Sequence, residues 1–226
     1  MSWIDKYQLF LFDLDGLLVN TEEVHFNAYK EMCRGRGFTL PWDFPKYFRI
    51  ANADAQALER CIYAEFPQLQ KSEPTWAILY KEKSRAFLHL LEQTPALLLS
   101  GAEILLRALE RANKKRCVVT HSSKELASLL MKQNPVLQTI EHWFTRQDYH
   151  LPKPAPDGYL KAIETLAEPD DAIVGFEDSN RGLVSLMATR AYPVLVNSFD
   201  TEMKTSFQKQ GVRVFNTLEE VCLQGI

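Results

Sequence analysis

Residues 9–23 read LFLFDLDGLLVNTEE. Four apolar residues run into Asp13, a second carboxylate follows at Asp15, and Gly16 opens another apolar run. A stretch that is apolar at every position suits a strand buried on both faces, as in a parallel sheet. Ligands of open α/β sheets bind beyond the carboxyl ends of the strands. Asp13 and Asp15 therefore stand where such a fold places its chemistry.

Working outward, further runs of this kind are RCVVT (116–120), HWFT (142–145), AIVGFED (172–178) and YPVLV (192–196), with VRVF (212–215) as a sixth strand. Between them, GAEILLRALERAN (101–113) and PDGYLKAIETLA (156–167) carry apolar residues at helical spacing. The alternation predicts an α/β fold with a Rossmann-like open parallel sheet. The first two strands lie about a hundred residues apart, where a crossover needs only a dozen or more. The intervening sequence reads as helices: 22–37, which ends at glycines, 53–66 before Pro67, and 74–93. Residues 1–19 and 94–226 are thus expected to form the core, and 20–93 an inserted helical domain. Asn20 is the expected N-cap of the first inserted helix, with Glu23 at the third helical position.

The 226 residues suit one large or two small domains. A net charge of −3 gives no general attraction to nucleic acid or anionic membrane, and no apolar run approaches the roughly 18 residues of a membrane span. The N-terminus lacks a signal-peptide pattern. Cys33, Cys61, Cys117 and Cys222 form no C-x-x-C pair. A cytoplasmic protein with reduced thiols, and a monomer, is expected.

The other strand ends extend the chemistry. The second ends in Thr120, followed by His121, Ser122 and Ser123. The fourth ends in Glu177 and Asp178, and LPKPAPDGY (151–159) after the third supplies Lys153. Each piece alone also reads as a helix cap, a turn or a solvated charge. Together they are carboxylates that a hard cation such as Mg²⁺ would relieve, hydroxyls beside backbone amides that can cradle phosphate, and one lysine for phosphate oxygens. The set suits phosphoryl transfer.

At these residues the chain resembles the haloacid-dehalogenase-type hydrolases, near the β-phosphoglucomutase-like phosphatase branch. DLDGLLV (13–19), Thr120 in VVTHSS, KPAPDGY (153–159) and GFEDSNRG (175–182) are similar to that family's four motifs. The resemblance implies a mobile helical cap. It implies Asp13 as nucleophile, forming an aspartyl-phosphate, and Asp15 as the acid and base. It implies Mg²⁺ on the Asp13 carboxylate, the Asp15 carbonyl and Asp178, with Glu177 an outer partner through water. Thr120, the His121 amide and Lys153 would hold the phosphoryl group. The implied activity is a phosphatase for a small phosphorylated metabolite. The alternatives are a phosphosugar mutase, a dehalogenase, which Asp15 and Asp178 count against, and a silent binding protein, which the complete set counts against. A receiver-type signalling domain has no room for the inserted lobe.

The chain also departs from the family pattern. His121 stands where Asn or Ser is usual, and is read as a substrate contact, a tuner of charge near neutral pH, or a loop residue doing neither. Pro152 stands where glycine commonly precedes the lysine, and Arg190 where a glycine usually ends the helix. The substrate-selecting loop is read as FRIANADA (48–55), with Arg49 its one basic side chain. His25 is expected to line the cleft or pack partly buried, His89 to pack at the core boundary. Trp42, Phe44, Tyr47, Phe48, Trp76 and Tyr80 are expected mostly to fill the cap core, with some available as an apolar lid over substrate.

Overall fold

The computed structural model describes residues 1–226 apart from 52, 54, 55, 199 and 200. Six strands, β1 (Leu9–Phe12), β2 (Lys115–Val119), β3 (His142–Phe144), β4 (Ile173–Glu177), β5 (Tyr192–Val196) and β6 (Arg213–Phe215), form a parallel sheet in the order β3-β2-β1-β4-β5-β6. The α/β fold with an inserted helical region is the one expected. Every residue of β1 and β4 is buried, as strands covered on both faces require. Leu9 and Leu11 of β1 join Cys117, Val119, Phe144 and Tyr159 in one apolar cluster. Phe12 stacks on Phe176.

The chain divides into two compact units, Met1–Asn20 with Leu97–Ile226, and Thr21–Ala96. The sheet unit also holds α6 (Ala102–Arg111), α7 (Lys124–Gln133), α8 (Asp157–Leu166), α9 (Asn180–Met187), α10 (Thr201–Lys209) and α11 (Leu218–Gln224). After β2 and β4 the chain turns into α7 and α9 through serine caps: Ser123 accepts from the Leu126 N–H and Ser179 from the Gly182 N–H. No helix among the described residues is long and apolar enough to cross a membrane.

The helical unit comprises α1 (Glu22–Gly35), α2 (Phe44–Ala51), α3 (Ala57–Glu65), α4 (Pro67–Ser72) and α5 (Trp76–Gln93). Its core gathers Phe26, Tyr29, Trp42, Tyr47, Ile62, Leu69 and Leu79, with Phe44, Phe48 and Trp76 packed against them. Tyr80 lies outside that core and is exposed. His89 is exposed too, beside Gln93 one turn on at 2.9 Å. The residue at the N-cap position of the first helix is Thr21 rather than Asn20, whose own N–H donates to the Leu97 carbonyl. Phe48–Ala51 lie in α2, not in a loop. Phe44, Tyr47, Phe48 and Ala51 form an apolar stripe at helical spacing, and the Asp43 carboxylate accepts the Lys46 N–H at the helix start. Asn52, Asp54 and Ala55 of the expected loop lie outside the described residues.

Candidate active site

Strand register builds the centre of the site. Phe12 is level with Phe176 across β1 and β4, so the next residues, Asp13 and Glu177, stand side by side at the strand ends. The Asp13 N–H donates to the Phe176 carbonyl. Chain order runs outward from β1 through β2 to β3, then reverses to β4, β5 and β6. Asp13, Glu177 and Asp178 thus sit at the switch point, the preferred ligand position of such sheets.

Lys153 enters from the segment before α8 and is buried. Its ammonium donates to the Asp13 carboxylate, to Glu177 Oε1 at 2.6 Å and to the Val119 carbonyl at 3.0 Å. Burial pulls the lysine pKa down, but the Asp13 and Glu177 charges more than offset it and hold Lys153 charged. Burial pushes the Asp13 carboxyl up, and the Lys153 ammonium pulls against it. Tyr159 of α8 donates its hydroxyl to the same Glu177 oxygen at 2.5 Å. On the far side, a Cβ at Gly182 would stand 1.9 Å from Glu177 Oε2, so the carboxylate lies directly on the first turn of α9.

Asp15 faces a second set of groups. Its Oδ2 accepts from the Ser122 hydroxyl at 2.6 Å and the Thr120 hydroxyl at 3.2 Å, while Thr120 Oγ1 accepts the Ser122 N–H. Gly16 follows with φ +82°, and a Cβ there would meet Asp178 Oδ2 at 2.2 Å. Only glycine meets both demands.

Asp13, Glu177 and Asp178 present carboxylate oxygens within 4.8 Å of one another, and all three residues are buried. Glu177 Oε2 is buried without a hydrogen-bond partner. Three carboxylates face one ammonium, and the donors are all oxygen. This set fits a hard divalent cation such as Mg²⁺. Glu177 belongs to the cluster itself. The Asp15 carboxylate is held by Thr120 and Ser122.

His121 accepts the Lys153 backbone N–H on Nε2 at 2.7 Å. Burial, helped by Lys153, Arg181 and Arg146, lowers its pKa to about 3, so the imidazole is neutral at neutral pH rather than a charge tuner there. Asp13, Asp15, Thr120, His121, Lys153, Glu177 and Asp178 all come together in the sheet unit. His25 and Arg49 belong to the helical unit. There His25 stacks on Phe87 and lies 2.5 Å from the ammonium of buried Lys83, while Arg49 is exposed on α2.

Sequence reasoning missed three participants. Ser122 was one hydroxyl in a cluster, Tyr159 one apolar position of a helix stripe, and Tyr149, whose hydroxyl donates to the Thr120 carbonyl, gave no signal. A tyrosine on the buried stripe of a helix still needs a partner for its hydroxyl, and that was the available clue for Tyr159.

The chain is similar to known proteins over most of its length. Protein CbbY of Rhodobacter capsulatus is 27% identical over 83% of this chain and 84% of its own length. Validoxylamine A 7'-phosphate phosphatase of Streptomyces hygroscopicus subsp. limoneus is 29% identical over 87% of this chain and 89% of its own. The crystal structure of CbbY from Rhodobacter sphaeroides in complex with phosphate shares the fold, with a TM-score of 0.76 at 22% identity, covering 95% of this chain and 96% of that one. Residues 10–192 match the haloacid dehalogenase-like hydrolases from end to end of the site, and the chain belongs to that family.

Proposed function

We propose that this phosphatase, a phosphoric monoester hydrolase of the haloacid dehalogenase-like type, takes the phosphoryl group of a small phosphorylated metabolite onto Asp13, with Mg²⁺ as its cation. The observation that carries the reading is the buried ammonium of Lys153 on the Asp13 carboxylate, beside Glu177 and Asp178. It holds one carboxylate in a fixed orientation where an anionic phosphoryl group needs positive charge. The phosphatase activity in the name of the Streptomyces relative supports a small phosphorylated substrate.

In the first step an Asp13 oxygen attacks phosphorus, the ester P–O bond breaks, and Asp15 gives its proton to the departing alkoxide. In the second, water attacks the phosphorus of the aspartyl-phosphate, Asp15 takes the water proton, and the bond to Asp13 breaks to release inorganic phosphate. The Ser122 and Thr120 hydroxyls keep Asp15 in place, and the Thr120 hydrogen can turn to a phosphoryl oxygen. Lys153 and the His121 amide hold the remaining oxygens. Asp13, Glu177 and Asp178, with the Asp15 carbonyl, would hold Mg²⁺, which when bound neutralises charge that otherwise repels the substrate. A cytoplasmic monomer is part of the same proposal, and the four free cysteines fit that compartment.

The test is phosphate release from a panel of phosphorylated sugars, nucleotides and small acids, with Mg²⁺ and after chelation. Release that needs the cation supports the reading; no release from any substrate, or release indifferent to chelation, defeats it.

A further inference from the structure

Two departures from the family pattern, His121 and Pro152, meet in one contact. His121 Nε2 accepts the N–H of Lys153, the residue directly after Pro152, at 2.7 Å. The loop after β2 is tied to the 146–153 segment twice more, by the Tyr149 hydroxyl on the Thr120 carbonyl at 2.9 Å and the Arg146 N–H on the Ser122 carbonyl at 3.1 Å. Those two bonds end on backbone carbonyls and are indifferent to the side chain at 121. The His121 bond alone among the three depends on it, and it alone grips the lysine.

Lys153 is thereby held at both ends: its ammonium by Asp13, Glu177 and the Val119 carbonyl, its backbone N–H by His121. We infer that His121 is a positioning residue whose Nε2 lone pair fixes the 152–154 turn and so aims the Lys153 ammonium at Asp13. The inference rests on the proposed reaction for what Lys153 then does. A neutral ring with its proton on Nδ1 is what the contact requires. Burial, with the surrounding Lys153, Arg181 and Arg146 charges, favours the neutral ring.

The chemistry gives a signature. The glutamine of H121Q carries an amide oxygen at the reach of Nε2. The asparagine of H121N carries one only at the reach of Nδ1, and the phenylalanine of H121F keeps a ring without an acceptor. The experiment compares wild type with these three variants by steady-state kinetics on an aryl phosphate and by hydrogen exchange at the Lys153 amide, followed by NMR. Expected is a kcat about 10²-fold lower in H121F with a Lys153 amide that exchanges freely. H121Q restores amide protection and most of kcat; H121N restores neither. The inference is overturned if H121F keeps the wild-type kcat and a protected amide, or if H121Q is as impaired as H121F. A wild type without phosphatase activity defeats the proposed reaction instead, and the amide exchange then still decides whether His121 holds Lys153.

Discussion

Phe12 stacks on Phe176 with ring centroids 5.0 Å apart and planes 9° apart, and the residues that follow them are Asp13 and Glu177. This apolar contact lies directly beneath two buried carboxylates that the β1–β4 register places side by side. Truncating Phe176 to Ala should cost about 3–5 kcal/mol, and turnover at a temperature where the variant is still folded should also fall. Chemical unfolding and kinetics on the same sample measure both; wild-type kcat in the destabilised variant would separate packing from function.

In the proposed reaction the Asp13 carboxylate is the attacking group. Asp13→Asn keeps the shape and removes the anion, so turnover should fall by on the order of 10⁴-fold or more with the circular dichroism unchanged. Substantial activity, with deamidation excluded by mass spectrometry, would contradict the assignment.

In the proposed reaction Asp15 handles the proton. Asp15→Asn still accepts from Thr120 and Ser122 but carries no acid, and should slow turnover by about 10²–10⁴-fold. The loss should be smaller for an aryl phosphate, whose leaving group needs little help, than for an alkyl phosphate. Equal losses would remove Asp15 from that step.

The contact between Gly182 and Glu177 leaves no room for a methyl group. In Gly182→Ala the new Cβ would displace the carboxylate that it would otherwise meet at 1.9 Å, at about 1–3 kcal/mol of overpacking. Mg²⁺ binding by calorimetry should weaken in parallel. Unchanged affinity would take Glu177 out of the cation site.

His121 also gives a pH signature. Its folded pKa of about 3 lies below the 6.5 of an ordinary histidine, through burial first and then through Lys153, Arg181 and Arg146, with Asp15 opposing. Between those values the unfolded chain binds the extra proton, so stability falls as pH drops from 6.5 toward 3. The melting temperature of wild type should therefore decline between about pH 6.5 and 5 more steeply than that of H121Q, which cannot titrate there.

The sheet was legible because its strands are apolar on both faces, and the acidic strand ends because β1 and β4 deliver them at one level. What stayed hidden arises from tertiary pairing. Ser122 meets Asp15 across 107 positions of sequence, and Tyr159 meets Glu177 between a helix and a strand. The first half of the expected substrate loop, 48–51, is helical for a local reason: Asp43 caps a helix whose apolar stripe runs through Phe48 to Ala51. Lys46 is engaged as well, 3.5 Å from Glu65 and over the Trp42 ring.

The central claim is that phosphate passes through Asp13. The direct measurement is to quench the enzyme during turnover of an aryl phosphate, reduce it with borohydride, and sequence the peptide spanning residues 9–23. An acyl phosphate is reduced to the alcohol, so the account predicts homoserine at position 13. An intact Asp13 in enzyme caught at steady state, with the modification on another residue, would contradict it.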